Sequence, residues 1–90
     1  MKIELTVEDI QQTFEGRDAA DILRQAKAEA ARRAPFLMRG FINGMSDLQF
    51  AGAVVQRANT AQGRSDPAPG DAQAFLDWAV AQGYVRILEP

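Results

Sequence analysis

Lys2-Ile3-Glu4-Leu5-Thr6-Val7 alternates polar and apolar side chains without a break. This period of two places Ile3, Leu5 and Val7 on one face of an extended segment and Lys2, Glu4 and Thr6 on the other, as in a half-buried strand. Tyr84 to Leu88, at the far end of the chain, reads the same way, with Val85 and Ile87 on the core side and Tyr84, Arg86 and Leu88 opposite. Pairing these terminal strands closes a small antiparallel sheet and brings the chain ends together. The segment between them then has to supply the layer that covers the sheet.

Ile10 to Glu15 admits two readings. Ile10, Gln12 and Phe14 alternate as a second strand would, whereas Thr6-Val7-Glu8-Asp9 resembles a capping box and Val7, Ile10 and Phe14 also fit a helical spacing. The strand is the better reading because a sheet of only two strands is marginal and a third helps to bury its face. Glu8-Asp9 lacks the glycine or asparagine that favours a tight hairpin, which counts the other way.

The middle of the chain is helical. Gly16 breaks the strand pattern and Asp18 is a good N-cap, with Asp21 in the first turn and Arg32 and Arg33 in the last, matching the helix dipole. Ile22, Ala26 and Ala30 form a ridge beside Ala19 and Leu23, so the seam becomes small toward its C-terminal end. Glu29 and Arg33 form a favourable i, i+4 pair. Pro35 ends that helix, and Phe36, Leu37, Met38, Phe41, Ile42 and Met45 follow at helical spacing. Ser46-Asp47-Leu48-Gln49 reads as a capping box opening a helix with the stripe Leu48, Ala51, Val54, Val55 and Ala58, stopping near Asn59. Thr60 to Gly70, with Gly63, Pro67, Pro69 and Gly70, is the one long loop. The last helix runs from about Asp71 to Gln82, with Ala72, Phe75, Leu76, Ala79 and Val80 on one face and Gly83 as its stop.

The expected fold class is therefore α+β: a small antiparallel sheet of two or three strands, with N- and C-terminal strands paired, packed against three to four helices. Its 90 residues make a single domain, 1–90. With 47% hydrophobic and 24% charged residues, the composition is that of an ordinary folded chain.

Composition removes several chemistries. The chain has no histidine and no cysteine, which excludes thiol nucleophiles, Cys/His zinc sites and hydrolytic triads with a histidine base. Lack of cysteine fits a reducing, cytoplasmic setting. The most apolar run, Pro35 to Met38, is stopped by Arg39, far short of the roughly 20 apolar residues of a membrane span. No GxGxxG, GxxxxGK[ST] or GxSxG motif occurs, and the Glu8/Asp9 and Asp18/Asp21 pairs do not form a calcium loop. No cofactor, metal or catalytic residue is expected, and the chain reads as non-enzymatic.

Charge is unevenly spread. Residues 1–21 carry two basic and six acidic side chains, residues 22–64 carry seven basic against two acidic, and residues 65–90 carry one basic against four acidic. The basic middle, through Arg24, Lys27, Arg32, Arg33 and Arg39, is the candidate contact for an anion or a nucleic acid, although mixed charge on solvated helix faces is the commoner meaning. Phe75 to Ile87, a helix passing through Gly83-Tyr84-Val85 into a strand, resembles the recognition-helix-to-wing passage of winged helix-turn-helix domains. The resemblance covers only the C-terminal quarter, and Asp71, Gln73, Asp77 and Gln82 leave that helix without the basic residues that contact phosphates and bases. Trp78 is expected to half-bury against the loop rather than to stack on a base.

Phe36, Met38, Phe41, Ile42 and Met45 form the candidate partner interface. A stripe of this kind in a chain this short belongs more often to the core. Gly40-Phe41-Ile42-Asn43-Gly44 also has the small-xxx-small spacing that permits close helix approach, a pattern of low specificity in a short segment. The leading functional expectation is a non-enzymatic interaction module, a homodimer or a subunit of a larger bacterial-type assembly, that uses this stripe or a sheet edge. The alternative is a nucleic-acid-binding regulator that uses the basic middle.

Overall fold

The computed structural model describes residues 1–7 and 9–90. Its elements run β1 (Lys2–Val7), β2 (Ile10–Glu15), α1 (Ala19–Arg33), α2 (Phe36–Asn43), α3 (Asp47–Gln62), α4 (Ala72–Ala81) and β3 (Val85–Glu89). The strands form one antiparallel sheet in the order β2-β1-β3, so the terminal strands pair and the α+β expectation holds. Residues 10–15 are strand. The alternative of a helix capped at Thr6-Val7-Glu8-Asp9 fails on that ground, and Glu8 itself lies outside the described residues.

Register follows the alternation. Ile3 faces Phe14 and Ile87, Leu5 faces Gln12 and Val85, and Val7 faces Ile10, so one sheet face is almost wholly apolar. The ammonium group of Met1 donates to the Gly16 carbonyl at 2.8 Å, and the Gly16 N–H donates back to the Met1 carbonyl at 2.9 Å, which zips the N-terminus onto the exit of β2. Glycine is needed there: a Cβ on Gly16 would lie 2.8 Å from the Asp21 carboxylate that receives the Arg17 N–H.

Each long helix begins on a side chain the sequence marks. Asp18 accepts from the Asp21 N–H, Asp71 accepts from the Ala74 N–H, and Ser46 with Gln49 completes the capping box in both directions. Gly83, at φ 81°, ends α4 in a Schellman motif in which the Tyr84 N–H donates to Ala79 and the Gly83 N–H donates to Val80. Tyr84 therefore belongs to the turn, and β3 begins at Val85.

The core gathers Ile3 and Phe14 from the sheet, Ala19 and Ile22 from α1, Leu76 and Ala79 from α4, and Val85 from β3. Leu23, Ala31, Ala51 and Val55 are buried as well. Three readings need correction. Helix α3 does not stop at Asn59: it continues to Gln62 and ends at Gly63, whose φ of 65° supplies the left-handed turn. The loop is correspondingly shorter. Leu48, Val80 and Ile87, placed on core faces by spacing and alternation, are exposed, because the covering layer does not reach the outer flanks of α3 and α4 or the end of β3.

Asn59 is instead a buried anchor. Its Nδ2 donates to the Asp66 carbonyl at 2.8 Å and its Oδ1 accepts from the Asp66 N–H at 3.1 Å, while the Trp78 indole N–H donates to the Asp66 carboxylate at 3.0 Å. Trp78 is thus half-buried against the loop, as its position beside the apolar stripe implied. Among the described residues, no helix is long and apolar enough to cross a membrane.

Candidate functional site

Helix α2 is short because the sequence brackets it. Pro35 fixes its entry and supplies no side-chain cap, and Gly44 ends it. Lys27 of α1 fastens the exit by donating to the Met45 carbonyl at 2.6 Å and pairing with Asp47 at 3.3 Å. Arg39 fastens the entry by donating to the Ala34 carbonyl at 3.2 Å and to the Arg32 carbonyl at 3.4 Å. The helix is held by its ends and leaves one side uncovered.

That side is apolar. Phe36 is 83% exposed, Leu37 87%, Phe41 68% and Met38 48%. Reading this stripe as core is therefore wrong for Phe36, Met38 and Phe41, and Leu37 beside them is exposed as well; Ile42 and Met45 are half-buried. Spacing could not reveal the difference, since the large apolar side chains of α2 spread over more than half of its circumference and α1 covers only part of it.

Successive helical residues turn by about 100°, so Phe36, Leu37, Gly40, Phe41 and Gly44 lie within one half of the helix surface. Gly40 and Gly44 form the floor between the flanking aromatics. A Cβ on Gly40 would meet nothing within 4 Å, and one on Gly44 would meet only helix backbone. Gly40, Phe41, Gly44, Met45 and Gln49 line an open groove over this floor. From side-chain areas of roughly 150–250 Å² for a large aromatic, the exposed patch is on the order of 400–500 Å². This matches the roughly 300–600 Å² of the largest apolar patch on a typical monomer, a patch that is often functional.

The five basic candidates do not assemble into one free surface. Arg24 pairs with Asp21 within α1, Lys27 with Asp47, and Arg32 and Arg33 both with Glu29, Arg33 Nε lying 2.8 Å from its carboxylate. The Arg32 guanidinium, followed by that of Arg33 and the amide of Gln12, holds the Glu29 carboxyl below its ordinary range. The backbone N–H of Arg17 and the Arg24 side chain do the same for Asp21. Among the described residues, no three carboxylates gather as metal ligands would.

A second feature lies between the sheet and the helices. Ile3, Leu5, Val7 and Phe14 on one wall face Ile22, Leu23, Ala26 and Ala30 of α1, with Phe50 and Val54 of α3 and Phe75, Trp78 and Ala79 of α4 completing a cavity of 280 Å³. It exists because the α1 ridge ends in alanines, which are too short to reach the sheet. The sequence signalled this as a seam that becomes small, but small residues point equally to close packing, and only the fold shows a gap. No family model, curated protein or solved structure matches this chain.

Proposed function

We infer that this chain is a self-associating, non-enzymatic interaction module and that α2 is its contact with a second copy. The observation that carries the reading is the exposure of Phe36, Leu37 and Phe41 around the open Gly40/Gly44 floor. A ridge of aromatics and a groove of glycines on one helix are self-complementary: under a two-fold axis the ridge of each copy enters the groove of the other. Two such patches would bury roughly 800–1,000 Å² of apolar surface, which with a polar rim reaches the lower range of specific interfaces. The sheet edges are poorer candidates. Exposed Gln11, Thr13 and Glu15 line β2, and β3 ends in Glu89-Pro90, features that discourage strand addition.

The test is absolute mass by light scattering after size exclusion over a wide concentration range. Wild-type protein is expected to be dimeric in the micromolar range, and Phe41→Asp monomeric with unchanged helicity. Gly40→Leu sharpens the test, because its Cβ has open space, its side chain fills the groove and it raises helix propensity. It should abolish the dimer and leave the monomer at least as stable. A wild-type monomer at all concentrations, or a dimer indifferent to both substitutions, overturns the reading.

A further inference from the structure

We propose that the cavity between the sheet and α1 binds an amphiphile, a saturated chain of about ten carbons ending in a carboxylate. Its size sets the length: 280 Å³ is nearly twice the roughly 150 Å³ that accommodates benzene in an apolar protein cavity. Its lining sets the polarity. The two aromatic residues with polar atoms turn those atoms elsewhere, the Tyr84 hydroxyl to Gln62 at 2.6 Å and the Trp78 indole N–H to Asp66 at 3.0 Å. Among the described residues, the other polar side chains of the lining are Gln12, Glu29 and Arg33, which hydrogen-bond to one another at one end and turn almost wholly apolar surface to the cavity, so that their polar groups stand at its rim.

That end is positive. Glu29 is shared by Arg32 and Arg33, and the Arg39 guanidinium sits on the last carbonyls of α1, offsetting the negative end of its dipole. Two guanidiniums, those of Arg32 and Arg33, thus share one carboxylate at the end of α1, and of the two only Arg33 lines the cavity. Arg33 donates to Gln12 at 3.1 Å, a neutral acceptor that an incoming carboxylate replaces with a charge-assisted bond. Apolar walls with one polar end are the usual form of a small-ligand site, and here the polar end selects an anionic head. This inference does not rest on α2, which lines none of the cavity.

The experiment titrates sodium decanoate into the whole chain below the concentration at which it aggregates, reading Trp78 fluorescence and heat. One decanoate per chain is expected, with a Kd of about 10–100 µM, and octanoate should bind roughly tenfold more weakly for its two missing methylenes. Arg33→Met should weaken decanoate at least fivefold while changing the affinity for 1-decanol less than twofold. Ala26→Phe fills the cavity and should abolish binding of both; should that variant fail to fold, the chain-length series and Arg33→Met still decide. The monomeric Gly40→Leu variant should bind as wild type does, which separates this site from the dimer contact. Absence of saturable binding up to millimolar decanoate, equal affinity for octanoate and decanoate, or indifference of decanoate to Arg33→Met each overturns the proposal.

Discussion

Replacing Asn59 by alanine tests how the long loop is held. Asn59 is buried in α3, and both its amide groups are used by the backbone of Asp66, seven residues on. Removing the side chain deletes two hydrogen bonds, each worth about 1 kcal/mol net, and leaves the Asp66 N–H and carbonyl without protein partners. Asp66 is only half-buried, so water recovers part of that loss. The Trp78 indole N–H depends on the same residue through the Asp66 carboxylate and loses its fixed acceptor when the loop moves. The sum is a destabilisation of about 2–3 kcal/mol, a fall in Tm of roughly 10–20 °C for a domain of this size. Urea and thermal unfolding measure it, and the emission of Trp78, the single tryptophan, should shift to the red in the folded variant. A cost below about 0.5 kcal/mol with unchanged emission would refute the reasoning, since the loop would then be held without the asparagine.

Two other predictions follow from single groups. Gly63 and Gly40 both have open space where a Cβ would stand, yet they should respond to alanine with opposite signs. At Gly63 the φ of 65° makes Gly63→Ala destabilising by about 1 kcal/mol, whereas Gly40→Ala in right-handed helix should stabilise the monomer by about 0.5–1 kcal/mol, both read from urea midpoints. Asp21 and Glu29 are held below their ordinary values of 3.8 and 4.5, so their contribution to stability is complete above those values and is lost as the pH falls through the lower values they have when folded. Urea midpoints should therefore be level above about pH 5 and decline below it, with a smaller decline in Arg32→Gln, which removes the leading cause at Glu29, and a lesser change in Arg24→Gln, which leaves the Arg17 N–H on Asp21.

Legibility in the sequence tracked how local each cause was. Alternation at Lys2–Val7 fixes which face of β1 is buried, and Asp18, Ser46 and Asp71 fix helix starts through bonds that span three residues. These signals need no knowledge of the rest of the chain. Asn59 reads locally as a stop because asparagine often ends helices, but its meaning here comes from Asp66, which the fold brings back against α3. Likewise no pattern within Phe36 to Met45 says which flank meets α1, because large apolar side chains spread over more than half of the helix circumference. What decides is the position of Lys27 and Arg39, which pin the two ends of α2 and so fix its roll.

The exposed helix and the internal gap bear on each other. A chain of 90 residues has little core to spare, and here Phe36, Leu37 and Phe41 remain in water while Ala26 and Ala30 leave unfilled space inside. Exchanging sizes would be chemically simple: larger residues at 26 and 30 would close the gap, and polar residues at 36, 37 and 41 would hydrate the surface. Each change would raise stability or solubility by ordinary rules of burial. Both departures run against stability, while the caps, the strand register and the Asn59 anchor all favour it. Phe36, Leu37 and Phe41 on α2 and the space beside Ala26 and Ala30 are the departures on which the proposed dimer contact and the proposed ligand site rest. Helix α1 meets both faces: it packs against α2 and lines the cavity, and Arg33 lies two residues before Pro35, so a head group at the proposed ligand site would sit within one helical turn of the start of α2 and of the proposed dimer contact.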